Sequence, residues 1–130
     1  MIHSMEIKIY YEDTDCGGVV YYANYLRYME RARTEYMASR GSPVKTLMDE
    51  GTVFMVARVE IDYRSPARYG DTLIVDTWVS DSSAATILFE HTMKEKTSGR
   101  LIAGANARLV CVDPTGKPKR IPKELADKLK

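Results

Sequence analysis

Cysteine is scarce: only Cys16 and Cys111 occur in 130 residues, far apart in the chain. Two distant thiols do not make the disulfide framework of a small secreted domain. His3 and His91 do not complete a zinc site at finger-like spacing, so no metal is expected. An excess of either charge is also lacking. Nineteen Lys and Arg against 18 Asp and Glu leave a net charge of +1, without the basic bias of a nucleic-acid binder. No apolar run approaches the ~20 residues of a membrane span, and the first six residues have neither the basic region nor the hydrophobic core of a signal peptide. The cytoplasm is the expected compartment. No repeat, low-complexity tract or Pro/Gly-rich linker divides the chain. With 45% apolar residues it has the composition and size of one globular domain over residues 1–130.

What is present is a change of period. Met5, Ile7, Ile9 and Tyr11 alternate with Glu6, Lys8 and Tyr10, which predicts a half-buried strand over Met5 to Tyr11. From Ala23 to about Arg40 the spacing becomes three and four, and Tyr22, Tyr25, Met29, Ala32 and Tyr36 form a core-facing stripe. Glu30 and Arg31 read as surface charges, solvated or paired across one turn with Arg33 and Glu35. Gly41 and Pro43 stop this helix. A short second one is expected over Pro43 to Glu50, capped by Ser42.

Beyond Gly51 the period is two. Strands are expected over 53–63, 72–79, 85–95 and 101–112, joined by turns at "SDSS" and "TSGR", with a short helix or frayed tail over 121–130. Strand, long helix and four long strands make an α+β domain in which one helix covers an antiparallel sheet. Apolar residues in the Phe54/Val56 and Leu73/Val75 stretches lie where one helix is not expected to reach, which points to pairing with a second copy.

Between the first strand and the helix lies "YYEDTDCGGVVYYANY", dense in carboxylates, glycines and tyrosines. Gly17 and Gly18 permit a tight loop that would return Asp15 to the helix start, where unpaired N–H groups and the positive dipole end suit a developing oxyanion. Asp13 reads as a structural turn residue, Cys16 as a small thiol, and Tyr11 as a candidate to orient water or the carboxylate.

This stretch, continued through "LRYMERARTEYM" and the long strands, resembles the hotdog-fold thioesterases of the 4-hydroxybenzoyl-CoA thioesterase group. Within it the chain is most similar to the bacterial acyl-CoA thioesterases associated with the Tol-Pal system. The resemblance implies a hotdog fold, a long central helix wrapped by a five-stranded antiparallel sheet. It also implies hydrolysis of a short-to-medium or aromatic acyl-CoA, or an acyl carrier protein thioester, with coenzyme A entering only as part of the substrate and no separate cofactor. By the same resemblance Asp15 is the catalytic carboxylate, the Tyr22 backbone N–H polarises the thioester carbonyl, and Gly17, Gly18 and Val19 lie against the substrate. Coenzyme A phosphates would meet Arg64, Ser65 and Arg68, or Lys117, Lys119 and Arg120, at subunit interfaces of a homodimer or a dimer of dimers.

The chemistry is self-consistent. A thiolate leaving group, with a parent pKa near about 8.5 by analogy with cysteine, needs little protonation, so a carboxylate suffices either as nucleophile or as general base. The Tol-Pal-associated members carry histidine where this chain has Tyr22, which leaves the N–H role intact and the acyl preference open. A hydratase would need a histidine beside a carboxylate on the helix, where neither His3 nor His91 falls in sequence. A non-catalytic acyl-thioester binder is the remaining alternative.

Overall fold

The computed structural model describes residues 1–129. Strand β1 spans His3–Lys8, and a single 3-10 turn follows at Tyr11–Asp13. Helix α1 spans Asn24–Ser39 and α2 spans Val44–Asp49. Strands β2 to β5 run Val53–Tyr63, Thr72–Ser82, Thr86–Glu95 and Leu101–Val112, before α3 at Lys123–Lys128. The five strands form one antiparallel sheet in the order β1-β3-β4-β5-β2, the α+β arrangement that the sequence implied.

Helix α1 lies across β1 and β3. Its buried residues Tyr25, Tyr28, Met29, Ala32, Tyr36 and Met37 recur at three- and four-residue intervals, as an amphipathic helix on a sheet requires. Opposite them stand every second residue of β3 and β4: Leu73 and Val75, then Ile87, Phe89 and Met93, all at 0–1% exposure. Tyr36 meets Phe89 edge-on, ring centroids 5.6 Å apart, a geometry that adds to the area buried. The helix ends at Ser39, with Arg40 as its C-cap, and the following Gly41 has the φ of +77° that fits the left-handed stop expected there.

Several expectations are corrected. Tyr22 lies outside the helix and is 64% exposed, so it is no part of the core stripe. The first strand ends at Lys8: Ile9 donates its N–H to the Asp71 carbonyl at 2.9 Å, and Tyr11 is 77% exposed. Pro43, not Ser42, caps α2, while the Ser42 hydroxyl accepts from Lys128 Nζ at 3.2 Å. Leu73 and Val75 are covered within the chain itself. Phe54 is only half-buried, and Met55 and Val56 are exposed on β2, which pairs with β5 alone and leaves its other edge open.

One polar pair sits in the core. His91 and Thr77 face each other across β3 and β4, with Nδ1 and Oγ1 2.9 Å apart. His91 Nε2 is buried without a hydrogen-bond partner among the described residues. Burial, with a smaller contribution from the positive charge of Arg33, lowers the imidazole pKa to about 3, so His91 is neutral.

Candidate active site

Residues 13–24 form a closed loop, and the Asp13 carbonyl closes it. That oxygen accepts the Tyr21 N–H at 3.0 Å and the Asn24 side-chain amide at 2.8 Å. The first residue of α1 is thereby tied to the residue two before Asp15. The Asp13 carboxylate is engaged as well, accepting the Tyr10 N–H at 2.8 Å, which gives this side chain a structural task.

Between these ties the chain makes a narrow turn. Asp15 donates its N–H to the Val19 carbonyl at 2.9 Å and receives the Gly18 N–H at 3.1 Å. Gly18 has φ +78°, which a residue with a Cβ adopts only under strain. Gly17 is needed for another reason. Its N–H donates to Asp15 Oδ1 at 2.8 Å, and a Cβ there would stand 3.2 Å from that same oxygen, crowding the carboxylate. The Asp15 side chain is otherwise open to solvent.

The far side of the turn is anchored to the β2–β3 connection. Val19 bridges to Arg68, and the Val20 N–H donates to the Ala67 carbonyl at 2.8 Å. Tyr25 reaches the same connection from α1, its hydroxyl accepting the Ala67 N–H at 3.2 Å.

Helix α1 begins at Asn24 with Ala23 as its cap, so Tyr22 occupies the turn just before it. Among the described residues the Tyr22 N–H makes no hydrogen bond, whereas its carbonyl accepts the Tyr63 hydroxyl at 3.0 Å. Tyr63, at the end of β2, also packs edge-on to Tyr25, centroids 5.4 Å apart. The spacing of the sequence gave no hint of this contact, which joins residues 41 apart.

The other flagged residues separate. Tyr11 packs on Tyr69, centroids 5.9 Å apart, and has no hydrogen bond to Asp15 among the described residues. The Ser65 hydroxyl is already used, donating to the Leu101 carbonyl at 2.7 Å and accepting from Arg100 at 2.8 Å. Arg100 also binds the Pro66 carbonyl at 2.8 Å, so it holds the connection that carries Arg68. Arg64 and Arg68 are exposed, whereas Lys119 is committed to Gly51 and Thr52 at the start of β2. The two basic segments therefore lie at opposite ends of the 11-residue β2, some ~33 Å apart at ~3.3 Å per residue. Among the described residues no three His, Cys, Asp or Glu side chains cluster as metal ligands.

Residues 10–129 match the thioesterase-like superfamily. The chain is 43% identical over 124 residues to the acyl-CoA thioesterase YbgC of Haemophilus influenzae, covering 94% of this chain and 90% of that protein. It is 35% identical over 125 residues to the acyl-CoA thioester hydrolase YbgC of Escherichia coli, covering 95% and 92%. A solved 1,4-dihydroxy-2-naphthoyl-CoA thioesterase from Synechocystis superposes with a TM-score of 0.91 over 99% of this chain and 96% of that one. At 24% identity this similarity speaks for the fold.

Proposed function

The chain belongs to the thioesterase-like superfamily and is an acyl-CoA thioester hydrolase, in which we propose that Asp15 is the catalytic carboxylate and the Tyr22 N–H the oxyanion donor. One observation carries this reading. The Asp13 carbonyl, by accepting from Tyr21 and Asn24, holds the Asp15 turn and the start of α1 in one closed loop. An exposed carboxylate and an uncommitted N–H at a helix start are the two groups that thioester hydrolysis calls for.

In this mechanism the acyl carbonyl oxygen lies on the Tyr22 N–H, assisted by the positive end of the α1 dipole. Asp15 either attacks the carbonyl carbon, giving a mixed anhydride that water then opens, or takes a proton from the attacking water. In both, the C–S bond breaks as the tetrahedral oxyanion collapses, and CoA leaves as the thiolate. Gly17 keeps a side chain off the carboxylate, and Gly18 makes the turn. The acyl group is short-to-medium or aromatic, and exposed tyrosines 11, 22, 63 and 69 around the loop supply rings against which it can pack. Val19 flanks it, while the Arg64 and Arg68 guanidiniums meet the CoA phosphates, or the phosphopantetheine of an acyl carrier protein. The cytoplasm is the setting of this reading; no helix of the described residues is long and apolar enough to cross a membrane.

A second copy belongs to the same proposal. The open β2 edge with exposed Met55 and Val56 favours antiparallel pairing into a homodimer, which would bring the basic segment at one end of β2 toward the other end of its partner. Light scattering at micromolar concentration is expected to give a dimer or a dimer of dimers; a monomer would contradict the shared site. The hydratase alternative loses ground, because His91 is sequestered with Thr77 in the core.

Tyr63 provides a sharper test of the loop. Its hydroxyl fixes the peptide that follows the proposed donor, and such a bond contributes about 1 kcal/mol. Tyr63→Phe, which keeps the ring on Tyr25, is expected to lower kcat about fivefold with KM unchanged. An equal loss in KM with kcat intact would assign Tyr63 to binding instead.

A further inference from the structure

Tyr28 carries a hydroxyl that packing alone does not need. It stands in the second turn of α1, is 0% exposed, and its oxygen is buried without a hydrogen-bond partner among the described residues. The ring meets Tyr25 edge-on, centroids 5.8 Å apart, and the Arg31 guanidinium lies 6.0 Å from its centroid. A phenylalanine would keep these contacts and leave no buried donor unsatisfied.

The direction of the side chain points to an acceptor. A long side chain in a helix leans over the turn before it, so Tyr28 lies toward Asn24, one turn earlier, whose amide donates to the Asp13 carbonyl at 2.8 Å. The Asp13 carboxylate has one oxygen available there. Its Oδ2 accepts the Tyr10 N–H at 2.8 Å, whereas Oδ1 accepts no hydrogen bond among the described residues. Burial first, then the charge of the nearby Asp13 carboxylate and its contact with the hydroxyl, raise the Tyr28 pKa, which keeps the proton on the phenol for donation. A carboxylate accepts several bonds at once, so engaging Tyr28 does not release Tyr10.

We propose that Tyr28 is a positioning residue for the hydrolytic loop: its O–H donates to the Asp13 carboxylate and fixes the residue two before Asp15 against α1, the helix whose start presents the Tyr22 N–H. The inference rests on the reading of Asp15 and Tyr22 given above. The Asp13 carbonyl already closes the loop through Tyr21 and Asn24, and the Tyr28 bond adds the side chain of the same residue to that tie. Carboxylate and N–H then meet the thioester carbon in one geometry. Tyr28 acts through Asp13 and not on the substrate, because at 0% exposure its ring has no free surface to offer.

The test pairs kinetics with proton NMR. Tyr28→Phe is expected to lower kcat about fivefold, with KM within about twofold of native and Tm within about 3 °C. In an Asp13→Ala background the same substitution should change kcat by less than about 1.5-fold, because the bond it removes is already gone. In the native protein the Tyr28 hydroxyl should give a slowly exchanging downfield proton signal, identified by its loss in Tyr28→Phe. That signal should move or vanish in Asp13→Ala and persist in Asp15→Asn. It needs no turnover, so it judges the bond separately from the hydrolytic reading, which a native protein that cleaves no thioester would fail. Unchanged kcat in Tyr28→Phe, losses that add in the double variant, or a hydroxyl signal indifferent to Asp13→Ala would each overturn the inference.

Discussion

Between pH 6.5 and pH 4 the protein is expected to lose about 3 kcal/mol of stability through His91 alone. His91 is 1% exposed, with Nδ1 on Thr77 and Nε2 buried without an acceptor. A proton on Nε2 would have no partner and would face the Arg33 cation, which is why burial first and Arg33 second depress the pKa to about 3. The sign follows from which state takes the proton. The unfolded chain binds it near its ordinary pKa of about 6.5, the folded chain only near about 3, so the stabilisation is full above the first value and falls away with pH toward the second. Urea unfolding of the native protein beside His91→Gln isolates the effect from exposed carboxylates that titrate in both. The stability difference between the two should shrink by about 2 kcal/mol from pH 6.5 to pH 5. A difference that stays flat would mean that His91 titrates normally.

The largest kinetic effect is expected at Asp15. Asp15→Asn should lower kcat by about a hundredfold or more, because an amide neither attacks a carbonyl nor accepts a proton at neutral pH. The fold should be indifferent to it: the amide oxygen can still accept the Gly17 N–H, and the side chain is otherwise in solvent, so Tm should move by less than about 2 °C. Asp13→Asn makes the contrast, since that carboxylate is committed to the Tyr10 N–H; its kcat should stay within about tenfold of native. The kinetics of all three proteins, followed by thiol release and set beside thermal melts, check the pair of expectations.

The long elements were legible because their periods are clean. The 11 residues of β2 alternate from Val53 to Tyr63, and the buried stripe of α1 recurs at helical spacing. Misreadings occur where the period outruns the backbone. Tyr22 falls in phase with Tyr25 and Met29 but precedes the helix cap, and Tyr11 continues the alternation of β1 after Ile9 has left the ladder for Asp71. Arg33 shows the opposite error. It lies four residues after Met29 and four before Met37, both buried, so spacing already put it on the core side while its charge argued for the surface. In the loop, the tight turn could be read from Gly17 and Gly18. What closes it could not, because the Asp13 carbonyl and the Tyr63 hydroxyl act through contacts 11 and 41 residues apart that no local pattern records.

The most direct test of the account is simultaneous measurement of free CoA thiol and free acid released from a panel of short-chain, medium-chain and aromatic acyl-CoAs by the native protein, with Asp15→Asn in parallel. The account predicts equal amounts of the two products from at least one member of the panel and near-background release by the variant. No release from any thioester by the native protein, or turnover by Asp15→Asn within a few-fold of native, would contradict it.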